Sequence, residues 1–197
     1  MTWRSVMLNL KVTVPEGTSG DWRVERFTVT EVQSRLDAIR GMFNDGRYVP
    51  PGTYTRLLRN NHVVMSDTPD EVRDHSEPIY RAHGRCLING LGLGVVLTGI
   101  AHKVAHVTVV ESSFDVIKLV GPHYTAMLGS KLTIVHDDAL EYTPLPNTRY
   151  QMVWHDIWDN ICANNLPQMT RLHRKYGRRT LWQGSWAREL CRLHCRP

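Results

Sequence analysis

Three glycines alternate with other residues in Asn89-Gly90-Leu91-Gly92-Leu93-Gly94, between the apolar run Cys86-Leu87-Ile88 and a second one that begins at Val95. Glycine in such a turn lets the chain bend tightly and removes side chains that would keep a ligand away from the main chain. Glu111 closes another apolar run, Val107 to Val110, about 20 residues further on; a carboxylate there can accept from both hydroxyls of a ribose. The dinucleotide spacing G-x-G-x-x-G wants glycine at position 95, which is valine, so NAD is disfavoured. Asp156 ends a further apolar run and Asp159 follows three residues later. Two readings stand for this pair, carboxylates at a reacting group or caps of the next segment.

Other residues invite chemistry less directly. His155 reads as a structural histidine, because strand alternation sends neighbouring side chains to opposite faces. Of Trp154, Trp158, Trp182 and Trp186, we assign Trp158 to a ligand-facing position and the others to packing. Glu71 and His75 lie one helical turn apart, as a pair that reaches a site or as an ordinary helix-surface pair. Cys191 and Cys195, with His194 between them, form an incomplete zinc set, and no metal is assigned.

The elements that position these residues follow from periodicity. Residues 1–66 read as a β-rich extension with one short helix: strands over Ser5–Val14 and Arg23–Thr30 around a turn at Gly17–Asp21, and a hairpin of Tyr54–Leu58 and His62–Met65 turning at Asn60-Asn61. Between them Val32, Leu36, Ile39 and Phe43 fall at helical spacing behind a Thr30 cap, with Gly46 beyond the end, predicting an amphipathic helix. Residues 67–197 read as one domain that opens with a capping box at Thr68-Pro69-Asp70-Glu71 and a helix running toward His83, kinked at Pro78. Strands at Cys86–Asn89, Val107–Glu111, Leu132–His136, Gln151–Asp156 and Thr180–Trp182 then alternate with helices at Val95–His102, Phe114–Tyr124, Asn164–Tyr176 and Ser185–Leu193. Such alternation implies an α/β fold with a Rossmann-like, doubly wound, mostly parallel sheet, whose ligands sit at the carboxyl ends of the strands.

A content of 42% hydrophobic and 22% charged residues places the 197-residue chain among globular proteins and outside the range of disorder. No run approaches the ~20 apolar residues of a membrane span, and the start lacks a signal peptide's apolar core, so a cytoplasmic location with reduced cysteines is expected. The net charge of +5 is uneven: residues 171–197 hold eight Lys or Arg against one acid, leaving the rest near −2. That basic segment is either a solvated helical face or a track for nucleic acid.

From Thr68 to about Asn160 the chain resembles the spermidine-synthase branch of the class I methyltransferase-like superfamily. The resemblance rests on Cys86 through Gly94, on Val109-Val110-Glu111, on Asp137-Asp138-Ala139-Leu140-Glu141-Tyr142 and on Tyr150 through Asp159, four motifs in the family's order. It implies an S-adenosylmethionine pocket in a truncated class I fold. Gly90, Gly92 and Gly94, with Asn89 and Leu91, would approach the methionine part; Glu111, with Ser112 beside it, would hold the ribose; Asp138 and Ala139 would meet the adenine. Asp156 falls at the family's catalytic acid, also near the cofactor, and Asp159 completes its D-x-x-D spacing. Leu93 stands where spermidine synthases carry an aspartate that senses the amine of decarboxylated S-adenosylmethionine, which favours methyl transfer over aminopropyl transfer. The family's final strand pair is missing after the fifth strand, so either a partner subunit completes the site, as in a homo-oligomer, or the acceptor is large. A protein that binds or depletes S-adenosylmethionine without transfer, or an interaction module on the same fold, is the third expectation.

Overall fold

The computed structural model describes residues 10–41 and 48–193. Two sheets organise it. The first is an antiparallel meander of β1 (Gly17–Ser19), β2 (Trp22–Val29), β3 (Gly52–Arg59) and β4 (His62–Ser66), with helix α1 (Glu31–Gly41) between β2 and β3. Asn60 and Asn61 both take positive φ, 49° and 66°, and close the β3–β4 hairpin as two-residue turns require. The second sheet is parallel: β5 (Gly84–Asn89), β6 (Val104–Glu111), β7 (Leu132–His136), β8 (Tyr150–His155) and β9 (Thr180–Ser185), in the order β7-β6-β5-β8-β9. Helices α4 (Val95–Ile100), α5 (Phe114–Leu128), α6 (Leu166–Tyr176) and α7 (Arg188–Leu193) follow β5, β6, β8 and β9, a loop joins β7 to β8, and α2 (Pro69–Asp74) and α3 (Ser76–Arg81) precede the sheet. This is an α/β fold with a Rossmann-like, doubly wound sheet whose winding reverses between β5 and β8.

Alternation along the central strands explains the layers. Cys86, Ile88, Val107, Val109, Met152 and Trp154 point into one apolar cluster, whereas Leu87, Val110 and Val153 point into another with Leu172 and Tyr176 of α6. The first cluster also contains Val12, Val14, Val24 and Leu57, so the meander shares a core with α5 and the parallel sheet. Polar contacts reinforce that junction, with Ser19 Oγ donating to Asp115 at 2.7 Å.

Several local expectations need correcting. Of the strand expected over Ser5–Val14, residues 10–14 are described and are not in a ladder; the Val12 amide donates to Asp67 Oδ2 at 2.9 Å and its carbonyl accepts from Thr55 Oγ1 at 3.2 Å. Side chains thus take the hydrogen bonds a neighbouring strand would supply. The turn expected at Gly17–Asp21 narrows to Gly20-Asp21, because Gly17–Ser19 pairs with β2. Thr30 does cap α1, with Gln33 reciprocating: the Gln33 amide donates to Thr30 Oγ1 at 3.2 Å and Thr30 N to Gln33 Oε1 at 2.9 Å. Val32, Leu36 and Ile39 nevertheless face outward, 69%, 49% and 56% exposed, because α1 turns Ser34 inward, bonded to the Val49 carbonyl. Phe43 and Gly46 lie outside the described residues.

The capping box expected at Thr68 is absent. Thr68 Oγ1 pairs with Ser66 Oγ at 3.0 Å and Glu71 reaches back to the Ser66 amide at 3.3 Å. The helix expected to kink at Pro78 instead breaks into two at His75 (φ −95°, ψ 5°). A proline ring clashes with the carbonyl four residues earlier, here Asp74, so the break falls a turn before the proline itself. The last strand is longer than expected, Thr180–Ser185, and α7 starts at Arg188 after Ala187 at positive φ. Cys195 and His194 of the cysteine pair lie outside the described residues. Among those described, no three His, Cys, Asp or Glu side chains form a metal-holding group, and no helix is long and apolar enough to cross a membrane.

Candidate functional site

The carboxyl ends of β5, β6 and β8 are held together by main-chain bonds, Gly90 N to Val110 O and Asp156 N to Asn89 O, each 2.8 Å, and Asp137 N to Glu111 O at 3.1 Å. Above them lies a cavity of about 580 Å³, inside the roughly 300–1,000 Å³ range of small-molecule sites. Of the residues singled out in the sequence, Gly90, Gly92, Glu111, Ser112, Asp138, Ala139, Asp156 and Asp159 line it, together with Glu71, His75, Trp158 and Trp186. Asn89, Leu91 and Gly94 do not. Asn89 is fully buried, its amide donating to His155 Nδ1 at 2.8 Å, and Leu91 and Gly94 line only a void of about 10 Å³ behind the turn.

The three glycines divide by what faces them. All have positive φ, but a Cβ on Gly90 would come within 1.9 Å of the Asp156 carbonyl and one on Gly94 within 2.1 Å of the Tyr124 ring. These two serve close packing inside the protein. On Gly92 it would meet Met65 Sδ at 2.9 Å, the end of a flexible side chain.

Glu111 is 9% exposed, its Oε2 accepting the Leu91 amide at 2.8 Å and its Oε1 the Ser113 amide at 2.7 Å. Each oxygen keeps a second lone pair, so the carboxylate is locked in place and still able to accept from hydroxyls. Asp138 is oriented by the Leu140 amide, which donates to its Oδ1 at 2.7 Å. Ala139 is buried beside it.

Asp156 follows β8, on the other side of β5 from Glu111, with its side chain 10% exposed. Burial, then the nearby Glu71, push its pKa up to about 7, opposed by the Trp154 indole. His75 Nε2 lies 3.7 Å from Asp156 Oδ2, but burial depresses the imidazole to about 4, so at neutral pH this contact is not an ion pair. A carboxyl that titrates near neutrality can hold or release a proton as a general acid or base requires. Asp159 is more open and lies 3.9 Å from Arg59. His155 is removed from the cavity: Asn89 bonds one ring nitrogen, Gln183 lies 3.3 Å from the other, and burial pushes its pKa down to about 3.

The meander supplies residues that the sequence reading did not foresee, namely Asp21, Trp22, Arg59 and Met65. Trp22 and Arg59 are register partners across β2 and β3, with the guanidinium 5.4 Å from the ring centre. The β3–β4 hairpin pattern could have placed Arg59 and Met65 together, but the pairing of β3 with β2 across α1 has no local signal. In all, seven acidic side chains and one arginine line the cavity, a balance that attracts cations.

No family model matches the chain, and no curated protein does. Solved structures similar to it include an S-adenosylmethionine-dependent methyltransferase from Clostridium acetobutylicum, at 10% identity and TM-score 0.42, covering 56% of this chain and 44% of that one. The DhpI-SAM-HEP complex is 16% identical with TM-score 0.42, covering 79% and 64%. The 23S rRNA methyltransferase ErmE is 17% identical with TM-score 0.40, covering 51% and 38%. The chain spans less than two thirds of each of these proteins, and the fold stands on its own strand order.

Proposed function

We propose that the protein is an S-adenosylmethionine-dependent methyltransferase acting on an amine or hydroxyl acceptor. The observation that carries this reading is the placement of Glu111 and Asp156 in one acidic cavity, at the ends of the two strands that flank β5 where the sheet reverses. The residues fit the cofactor's chemistry: Glu111 offers lone pairs to a ribose, Asp138 and Ala139 border the neighbouring space, and the excess of carboxylates suits a sulfonium cation. When bound, S-adenosylmethionine supplies a carbon activated by its positive sulfur.

The chain's own residues then do the rest. Glu111 is already fixed by two amides, so little ordering remains on binding. Asp156 accepts the acceptor's proton or holds its N–H or O–H in line, and with a pKa near 7 it takes that proton at neutral pH. Trp158, bonded through its indole N–H to Gln168 at 2.8 Å, and Trp186 add aromatic surface to the cavity.

A second reading, aminopropyl transfer from decarboxylated S-adenosylmethionine, draws on the Asp156 and Asp159 pair at the cavity and is opposed by Leu93, which is fully buried. Calorimetric titration with S-adenosylhomocysteine, followed by mass spectrometry of reactions containing S-adenosylmethionine or its decarboxylated form, tests both. Binding with a methylated product is the expected result. An aminopropylated product reverses the order, binding without product makes this a cofactor-binding protein, and no binding overturns the reading.

A further inference from the structure

Met65, near the end of β4, lies across the glycine turn. Its Sδ accepts the Leu93 amide at 3.2 Å and its Sδ and Cε lie 2.9 and 3.0 Å from where a Cβ of Gly92 would stand. It also borders both the cavity and the small void behind the turn. Gly90 and Gly94 are covered by a main-chain carbonyl and by the Tyr124 ring, neither free to leave, since Tyr124 is buried and its hydroxyl bonds the Leu93 carbonyl at 3.1 Å. Gly90 borders the cavity with its amide already bonded to the Val110 carbonyl, so Gly92 and the Leu93 amide are the part of the turn where a movable side chain stands in a ligand's way: a thioether, a weak acceptor on a flexible stem, occupies it.

Resting on the reading of the cavity as an adenosine-cofactor site, we propose that Met65 determines specificity at the glycine turn. A nucleoside with a short 5′ substituent enters without disturbing it. One that carries an amino-acid end must first displace the thioether from the Leu93 amide. The Met65 side chain thus weakens binding of the larger ligand selectively, and a smaller residue at position 65 relieves the penalty.

The test compares S-adenosylhomocysteine with 5′-methylthioadenosine by calorimetry on wild type, Met65→Ala and Met65→Leu. For Met65→Ala, S-adenosylhomocysteine should bind about five-fold tighter, the worth of one ordinary hydrogen bond no longer broken, while 5′-methylthioadenosine is unchanged. Met65→Leu keeps the bulk but has no sulfur to accept the Leu93 amide, so it should show the same selective gain. In wild-type protein labelled at the methionine methyls, the Met65 signal should shift with S-adenosylhomocysteine and not with 5′-methylthioadenosine, a readout independent of whether the alanine variant folds. Equal effects on both ligands, or a methyl signal indifferent to S-adenosylhomocysteine, overturn the role of Met65 while leaving the cavity assignment intact. Failure of either nucleoside to bind any variant removes the cavity assignment itself, and this inference with it.

Discussion

The acidic cavity and the basic face of α6 carry opposite charge, and they differ more in what that charge does than in its sign. On α6 and just after it, Arg171, Lys175 and Arg179 are engaged by the protein, whereas Arg174 is exposed. Arg171 pairs with Glu141 at 2.8 Å, Lys175 donates to the carbonyls of Ala139 and Leu140 at 3.2 and 2.9 Å, and Arg179 donates to that of Leu145 at 3.3 Å. Arg188 donates to His173 Nδ1 at 3.1 Å and Arg192 to Glu189 at 2.6 Å. The basic segment thus pins the loop after β7, the loop that presents Asp138 and Ala139 to the cavity. In the cavity, by contrast, carboxylates are gathered around space, and one of them, Asp156, holds its proton to about pH 7 because burial and Glu71 disfavour its charge. Charge spent on main-chain carbonyls reads as scaffold, whereas charge held at a cost beside a cavity reads as function.

That contrast can be broken at three places. The largest effect is expected at Asp156: replacing it with Asn should lower the transfer rate by about 10²- to 10⁴-fold, the usual range for a positioned acid or base, with S-adenosylhomocysteine affinity preserved. Rate assays beside calorimetry check it, and an active variant removes Asp156 from the chemistry. The same substitution should raise stability. With a folded pKa of about 7 against the ordinary 3.8, the native state retains a proton that the unfolded chain loses as pH rises from 4 to 7, so stability falls across that window and is flat above it. Asp156→Asn should therefore gain at pH 8, by on the order of 4 kcal/mol at most, and match wild type below about pH 4 in denaturant titrations.

Glu111→Ala should weaken nucleoside binding by about 1–3 kcal/mol, the cost of leaving polar partners unpaired, measured on protein shown to be folded. Smaller still, Lys175→Ala should cost about 1 kcal/mol of stability, because two carbonyls lose a charged donor at a partly exposed site. It should leave the affinity of a short oligonucleotide within about two-fold of wild type, as a cation already committed to the protein adds little to counterion release. A steep loss of oligonucleotide binding in that variant would instead make nucleic acid a partner of this face.

How much of this was legible in the residues depends on the range of the interaction. The parallel sheet could be read because each strand's apolar run and each following helix are local signals, and the reversal point follows from the glycine turn. Glu111 and Asp156 were visible as acids ending such runs. The fate of Gly94 was not, since its reason is the ring of Tyr124, 30 residues away and folded against it. Likewise Asp67, which ties Val12 to Thr55, and Met65, which covers Gly92, act across elements whose approach no local pattern encodes. The exposure of Val32, Leu36 and Ile39 is a case where helical period was right and the face it presented was not, because Ser34 and its bond to Val49 chose the register.

The central claim is that a nucleoside lies between the Gly92 turn and Glu111, with Asp156 across from its reactive end. A crystal structure of the protein with S-adenosylhomocysteine tests it most directly. The account predicts the ribose hydroxyls within hydrogen-bond distance of Glu111, the adenine beside Asp138 and Ala139, and Met65 turned away from Leu93. Ligand bound elsewhere, or Glu111 facing only the Leu91 and Ser113 amides at saturating concentration, would contradict it.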